Sequence, residues 1–382
     1  MSGFGFTEAQ EMFRREVRNF AQRELMPGAK ERTKLDFIPR EVRKKIADMG
    51  LLGINLPEKY GGQPSDWVSL GIAVEELGRV SAAEGMQPVL PHGILGLVQP
   101  NEELYQEWTP QVIRGDKLVA FGVTEPDCGS DAAAMKTRAI RDGDYYILNG
   151  EKVPVSMGMQ ADAFVVFAKT DPTAGAKGVT CFLVPEELPG MTRSRLAHMG
   201  WKLIGSASVI MDNVQLPAQY RLGEEGRGFY YAMAAIDIFR LGVALTCLGA
   251  AEQSLEETIE YAKQRTAFGR PIAKFEGVSF KIAEHATMIE AARLLCYRAL
   301  WIRDQGLPNT KEVAMAKWWS PQVAANAIHD FLLIFGHVGY SEEYPLEQRL
   351  RDVIGFELGD GTAETQKVVL VRELMGKEFL PY

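Results

Sequence analysis

Cysteine and histidine are scarce in this chain of 382 residues, with four of one and five of the other. Cys128, Cys181, Cys247 and Cys296 stand far apart, with neither the paired spacing of a zinc site nor the density of a small disulfide framework. Free thiols in a reducing cytoplasm are the expectation. His92, His198, His285, His329 and His337 do not cluster, so no metal centre is expected. Basic residues are also in deficit: 42 Lys and Arg against 50 Asp and Glu give a net charge of -8. That sign argues against nucleic acid as the main partner, though it leaves room for a local basic patch around a phosphate-bearing ligand. No stretch approaches the roughly 20 apolar residues of a membrane span. The opening "MSGFGFTEAQEMFRREV" lacks the apolar core and cleavage pattern of a secretory signal.

What is present is an ordinary globular composition, 46% apolar and 24% charged, on a chain long enough for two or three domains. The first part reads as helical. Thr7 and Gln10 form a capping box ahead of Phe13, Val17, Phe20 and Ala21 at helical spacing. "PREVRKKIADMGLLG" opens on Pro39 and stops at glycine, and "DWVSLGIAVEELGRVSAAEG" reads as one more amphipathic segment ending at Gly85. Near residue 118 the texture changes. "YYILNGEKV" suggests a hairpin turning at Asn149-Gly150. "AFVVFAKTD", "GVTCFLVP" and "SASVIMDNVQLP" are further short strand-like runs. After "LGEEGRGF" come long helical patterns near 232–265, 275–305 and 309–335, then a last helix after Thr362. The expectation is a mainly α chain with a central β domain. Residues 1–118 are helical, 119–225 form an antiparallel, barrel-like β domain, and 226–382 form a four-helix bundle.

Several segments carry possible chemistry. "AFGVTEPDCGSDAAAMKT" ends a strand in a Pro, Gly and Ser turn, where unpaired N–H groups can cradle a flat heteroaromatic ring or a phosphate. "IDIFR" places Asp237 and Arg240 on one helical face. "YAKQRTAFGRPIAKFEG" sets Arg265 at a helix end, and "FGHVGYSEEYPLEQRLRD" is a glycine-interrupted loop opening another helix. "ELGDGTAETQ" puts Asp360 between two glycines, just before Thr362 and Glu364 begin the last helix. Each alone reads equally as a turn, a cap or an exposed ion pair.

Together, and in this order, "TEPDCGSD", "LNGEK", "AKQRTAFGRPI", "GYSEEYPLEQRLRD" and "GDGTAETQ" resemble the flavin-dependent acyl-CoA dehydrogenases over essentially the whole chain. The resemblance implies a helical domain, a β domain and a helical bundle, assembled as a homotetramer with FAD at the junction. It implies that Phe121, Val123, Thr124, Gly129 and Ser130 line the flavin, with Pro154 and Ser156 on its wall. Arg265, Glu276, Leu333, Gly336 and His337 match contacts to the FAD of a neighbouring subunit, and Thr362 and Glu364 a further flavin contact. Ser130, Asp237, Arg240 and Gly361 match the acyl-CoA contact. Asp360 stands where most of the family has its catalytic glutamate. The alternative base position of the family, on the long helix, holds Phe239, so Asp360 is the best base on offer. In the family the base takes an α-proton, its own N–H helps hold the thioester oxygen, and a β-hydride goes to flavin N5. Burial is expected to raise the pKa of Asp360 toward that of a useful base. An electron-transfer flavoprotein is the implied electron acceptor.

The chain departs from the family pattern at informative places. Aspartate is one methylene shorter than glutamate. Pro154 stands for the usual tryptophan, Ser156 for threonine, Glu276 for glutamine, Leu333 for glutamine and His337 for the second glycine. A retracted base and an open flavin wall both enlarge the pocket, which suggests a bulky acyl group. The cyclohexane- and cyclohexene-carboxyl-CoA dehydrogenases fit that expectation, with other branched or aromatic acyl-CoA esters as alternatives. His92, in "VLPHGILG", is a possible second acid–base group or a packed histidine. A nitroalkane-oxidase-like enzyme also uses aspartate, but it has no need of the retained Asp237 and Arg240. An acyl-CoA oxidase and a non-catalytic ester-binding homologue complete the rivals.

Overall fold

The computed structural model of the chain describes residues 5–95 and 101–380. Its first part contains α1 (Glu8–Phe20), α2 (Ala29–Arg32), α3 (Arg40–Asp48), α4 (Trp67–Gly78), α5 (Ala82–Met86), α6 (Leu90–Leu95) and α7 (Glu102–Ile113). The capping box at α1 forms as expected: the Thr7 hydroxyl accepts the Gln10 N–H, and the Gln10 side chain accepts the Thr7 N–H. The run from Asp66 to Gly85 differs from the single amphipathic helix expected. It breaks after Gly78, because Ser81 is extended and its hydroxyl accepts from Ala83 and Glu84, starting a new helix. α4 is also buried on almost every side, since it packs against α1 and two of the long helices that follow the sheet. Its acids are therefore paired internally, Glu75 with Arg293 and Tyr297, and Glu76 with Arg14 and Arg18.

The middle part holds β1 (Val119–Gly122), β2 (Arg138–Asp142), β3 (Tyr145–Val155), β4 (Ala163–Lys169), β5 (Val179–Pro185), β6 (Met191–Arg195), β7 (Ala207–Pro217) and β8 (Arg221–Leu222). They form one sheet in the order β6-β7-β3-β2-β4-β5-β8, with β1 alongside β4. Two expectations need correction. The sheet is mixed rather than antiparallel, because β1 and the start of β2 run parallel to β4. The hairpin turn is not at Asn149-Gly150 either. It falls at residues 143–144, with Gly143 in the left-handed region at φ 58. Asn149 and Gly150 lie inside β3 where its register against β7 shifts. There the Asn149 side chain bonds Asn213 across the sheet, and a Cβ at Gly150 would lie 2.4 Å from Thr137 Oγ1. The glycine serves a close approach, not a turn.

After the sheet come α8 (Gly228–Gln264), the hairpin of β9 (Thr266–Ala267) and β10 (Arg270–Pro271), α9 (Glu276–Asp304), α10 (Thr310–Phe335), α11 (His337–Tyr340), α12 (Leu346–Leu358) and α13 (Ala363–Met375). α10 packs on α8, α9, α12 and α13 and forms the centre of the bundle. α8 is the one described helix long and apolar enough to cross a membrane, contrary to the expectation of no such stretch. Its most apolar part has a mean hydropathy of 1.6 and is 72% buried inside the protein, so here that apolarity serves the core. This arrangement, helices then a β domain then a helical bundle, is the expected fold.

Candidate active site

The turn between α12 and α13 is an unusual piece of backbone. Asp360 has φ 55 and Gly361 φ 99, so two successive residues sit where side chains are rarely tolerated. Aspartate is among the few that enter the left-handed region at modest cost. At Gly361 the φ of 99 is what favours glycine, and a Cβ there would also press the end of the Gln366 side chain at 2.5 Å. Thr362 then caps α13 by accepting the Thr365 N–H. The turn is held from behind by two cations. Arg240 Nε on α8 donates to the Asp360 carbonyl at 3.0 Å, and its NH1 pairs with Asp237 at 2.7 Å. Lys317 Nζ on α10 donates to the carbonyls of Phe356 at 2.9 Å and Gly361 at 3.0 Å. Burial pushes the Asp360 carboxyl above the usual aspartate range, against the pull of Lys317 and Arg240. Asp237 is raised too, by burial, with Arg240, Arg303 and Arg372 opposing.

The segment after β1 faces this turn. Phe121 lies edge-on to Phe167 at 5.1 Å and to Phe239 at 5.2 Å. Phe239 is itself pressed by α6, since a Cβ at Gly93 would lie 2.3 Å from its ring. The loop is fixed through its carbonyls: Val123 accepts from Lys152 Nζ at 3.1 Å and Thr124 from the Val153 N–H at 2.9 Å. Lys152 also pairs with Glu125 at 2.7 Å, and Glu125 accepts the N–H groups of Lys136 and Thr137. Gly129 and Ser130 at the far end are exposed, and Ser130 Oγ accepts from the Thr365 hydroxyl at 3.2 Å. Pro154 and Ser156 are exposed at the end of β3, and Glu364 is exposed on the first turn of α13. Ser130 thus joins the loop to the helix that follows the Asp360 turn, and Phe121 joins it to α8, which carries Asp237 and Arg240.

The remaining expected residues form a separate group. Arg265 ends α8, and the Tyr261 ring one turn before it stacks on Phe335 at 4.0 Å, next to Gly336 and His337. Arg265, Glu276, Leu333, Gly336 and His337 are all exposed. Arg240 and Arg265 lie on one helix, so their separation is roughly 35–40 Å at 1.5 Å per residue.

Four polar residues of the site stand outside the set expected from sequence. Lys317 sits in "VAMAKWWS", and a lone charge in so apolar a helical run is the available signal. Lys152 and Glu125 lie inside quoted motifs but had no assigned role. Gln366 is fully buried, and neither its amide oxygen nor its nitrogen has a partner among the described residues. A buried donor and acceptor left open beside Gly361 is what a polar ligand would satisfy. The exposed Gly129-Ser130 loop also leaves space, since a Cβ at Gly129 would meet only Thr124, at 3.8 Å. These residues therefore fit a flavin at the loop and a thioester at the turn. His92 is different. Its Nε2 donates to the Ile54 carbonyl at 3.0 Å, and burial pushes its pKa down to about 4. The ring is neutral and packed at 5.2 Å from Trp67.

Comparison with known proteins agrees with this geometry. The family descriptions "Acyl-CoA dehydrogenase, N-terminal domain", "middle domain" and "C-terminal domain" match residues 7–116, 120–214 and 226–375. An acyl-CoA dehydrogenase of Bacillus subtilis is 39% identical over 97% of this chain and 99% of its own. The caffeyl-CoA reductase-Etf complex subunit CarC of Acetobacterium woodii is 37% identical over 97% of this chain and 100% of its own. Butyryl-CoA dehydrogenase of Megasphaera elsdenii superposes with a TM-score of 0.93 at 35% identity, covering 98% of this chain and 100% of that one. A turn presenting a carboxylate beside a loop suited to a flavin, in a chain matched end to end by these proteins, has one reading: the chain belongs to the acyl-CoA dehydrogenase family and is an oxidoreductase whose cofactor is FAD.

Proposed function

We propose that Asp360 is the base of an acyl-CoA dehydrogenase acting on a ring-bearing thioester such as cyclohexanecarboxyl-CoA or cyclohexenecarboxyl-CoA. The observation that carries the reading is the left-handed Asp360 with its carbonyl held by Arg240. A carboxylate fixed by its own backbone is ready to take an α-proton, and its raised pKa makes it a better base than an ordinary aspartate. Bound FAD supplies the acceptor for the β-hydride. Gly129, Ser130, Val123 and Thr124 would hold the flavin, Thr362 and Glu364 would extend that contact, and Asp237, Arg240, Ser130 and Gly361 would hold the thioester arm. The short base and the exposed Pro154 and Ser156 support a bulky acyl group. A second reading, an aryl-conjugated acyl-CoA, is favoured by the likeness to a caffeyl-CoA reductase subunit.

Assembly belongs to the same proposal. Phe280, Met288 and Leu294 leave an exposed apolar stripe on α9, a face suited to a second copy in a homotetramer. A neighbouring copy would also bring Arg265, Glu276, Leu333, Gly336 and His337 to the cofactor. Domains at 1–118, 119–225 and 226–382, electrons leaving to an electron-transfer flavoprotein, and residence in a reducing cytoplasm complete the reading. Four buried free cysteines support the last point. The test is an anaerobic titration with cyclohexanecarboxyl-CoA, cyclohexenecarboxyl-CoA, an aryl-acrylyl-CoA and butyryl-CoA, following flavin absorbance. Bleaching by a cyclic ester is expected. Bleaching by butyryl-CoA alone would remove the bulky-substrate reading.

A further inference from the structure

The last helical hydrogen bond of α12 runs from the Gly359 N–H to the Gly355 carbonyl. The next step of an α-helix would send the Asp360 N–H to the Phe356 carbonyl. That carbonyl is taken instead by Lys317 Nζ, and the same ammonium reaches over to the Gly361 carbonyl. Lys317 therefore grips the chain on both sides of Asp360. Arg240 grips the carbonyl in between.

A capped helix end does not need a lysine here. The side chain of Lys317 is wholly buried, and its two hydrogen bonds go to uncharged carbonyls. Burying an ammonium that is not paired to a contacting carboxylate is costly, and a neutral donor would cap the helix for less. Burial pushes the Lys317 ammonium below its usual range, and the anion that opposes this most strongly is Asp360. The other groups facing it are Glu357 on α12, Arg240 on α8 and the neutral thiol of Cys247, also on α8. Glu364 on α13 acts on Glu357 in turn. The charge thus stands directly behind the residue read as the base.

We propose that Lys317 is a positioning residue for the reaction: by occupying the carbonyls of Phe356 and Gly361 it stops α12 one residue short, leaving the Asp360 N–H free for the thioester oxygen and a fixed positive charge behind the enolate-like charge as it forms. The inference rests on the reading of Asp360 as base. An N–H aimed at a developing oxyanion acts mainly on the transition state. Its loss should lower the rate of flavin reduction while leaving ester affinity almost untouched. The charge acts on the base as well. Without Lys317 the Asp360 carboxyl loses its strongest opposing cation, so the pH midpoint of flavin reduction should move up.

The experiment compares holoenzyme with Lys317→Met, Lys317→Gln and Lys317→Arg by stopped-flow flavin reduction across pH, using cyclohexanecarboxyl-CoA and butyryl-CoA as paired probes. K317M should slow reduction per bound flavin by roughly a hundredfold or more, raise the pH midpoint and leave ester affinity within about threefold. K317R should return the midpoint toward wild type. K317Q keeps N–H donors without charge, so it answers the question if K317M does not fold. Reduction per flavin within about threefold of wild type at an unchanged midpoint would overturn the proposal, even with a lowered melting temperature or flavin content. Asp360→Asn is run in parallel. If D360N still reduces its flavin, the base assignment itself fails. If D360N is inert and the lysine variants behave as wild type, only this inference fails.

Discussion

Lys152 and Glu125 meet at 2.7 Å with both side chains almost completely out of water. The pair ties β3 to the loop that runs from Val123 to Ser130, of which Glu125 is part. Burial drives Glu125 upward, but Lys152 and two N–H groups outweigh it and leave the carboxyl below its ordinary range. Breaking such a pair from one side leaves a lone buried charge.

Lys152→Met should therefore destabilise the protein by about 3–5 kcal/mol and lower the flavin-to-protein ratio, because the Val123 carbonyl loses its donor too. The double variant Lys152→Met with Glu125→Gln should recover part of the melting temperature without restoring flavin content. Recovery of both would mean that the loop does not depend on this lysine.

Asp352 offers a pH-dependent prediction. It is buried at the joint between the sheet and the bundle, accepting from the Trp201 N–H at 2.6 Å and from Gln348 at 3.1 Å. Burial pushes its pKa up to about 6 against these bonds and Arg351, while Glu347 adds to the rise. A raised carboxyl contributes stability below its unfolded value, and that contribution fades as pH climbs through about 6. A rise of that size corresponds to about 3 kcal/mol. Thermal melts of wild type and Asp352→Asn should converge with Asp352 protonated near pH 4. They should separate by up to that amount at pH 7, with D352N the more stable. Parallel curves would show that Asp352 ionises without penalty.

His92 has the opposite sign. Burial lowers it to about 4, with the Ile54 carbonyl opposing and Arg303 assisting. A depressed histidine costs stability as pH falls from about 6.5 toward 4. His92→Gln keeps an N–H donor for Ile54 and should flatten that part of the acid melting curve. The flavin-reduction profile should also show no limb from His92 near neutrality. A neutral-range limb that H92Q abolishes would return His92 to the chemistry.

Much of the fold and site is legible in the sequence where the signal is local. Thr7 and Thr362 announce helix starts because a cap is read from residues three apart. Asp360 can be singled out because its two glycines mark unusual backbone before any fold is known. Asn149-Gly150 misleads for the complementary reason. A strong turn dipeptide is overruled by Asn213 and Thr137, whose proximity depends on how three strands align. Ser81 hides a helix break inside an apolar run. The lone charge of Lys317 is visible in its apolar run, but not its role, since its acceptors are distant backbone carbonyls of no distinctive sequence; the Glu125 partner of Lys152 is likewise set only by the folded sheet.

The hydroxyl contact between Ser130 and Thr365 spans 235 residues. At cellular translation rates the ribosome needs roughly 10–50 s to make that intervening length. The sheet can form early, yet Ser130 waits for its partner until the last long helix has been synthesised. If Ser130 and Thr362 hold the flavin as proposed, the cradle closes only once α13 has been made, so uptake of the cofactor belongs to the completed fold.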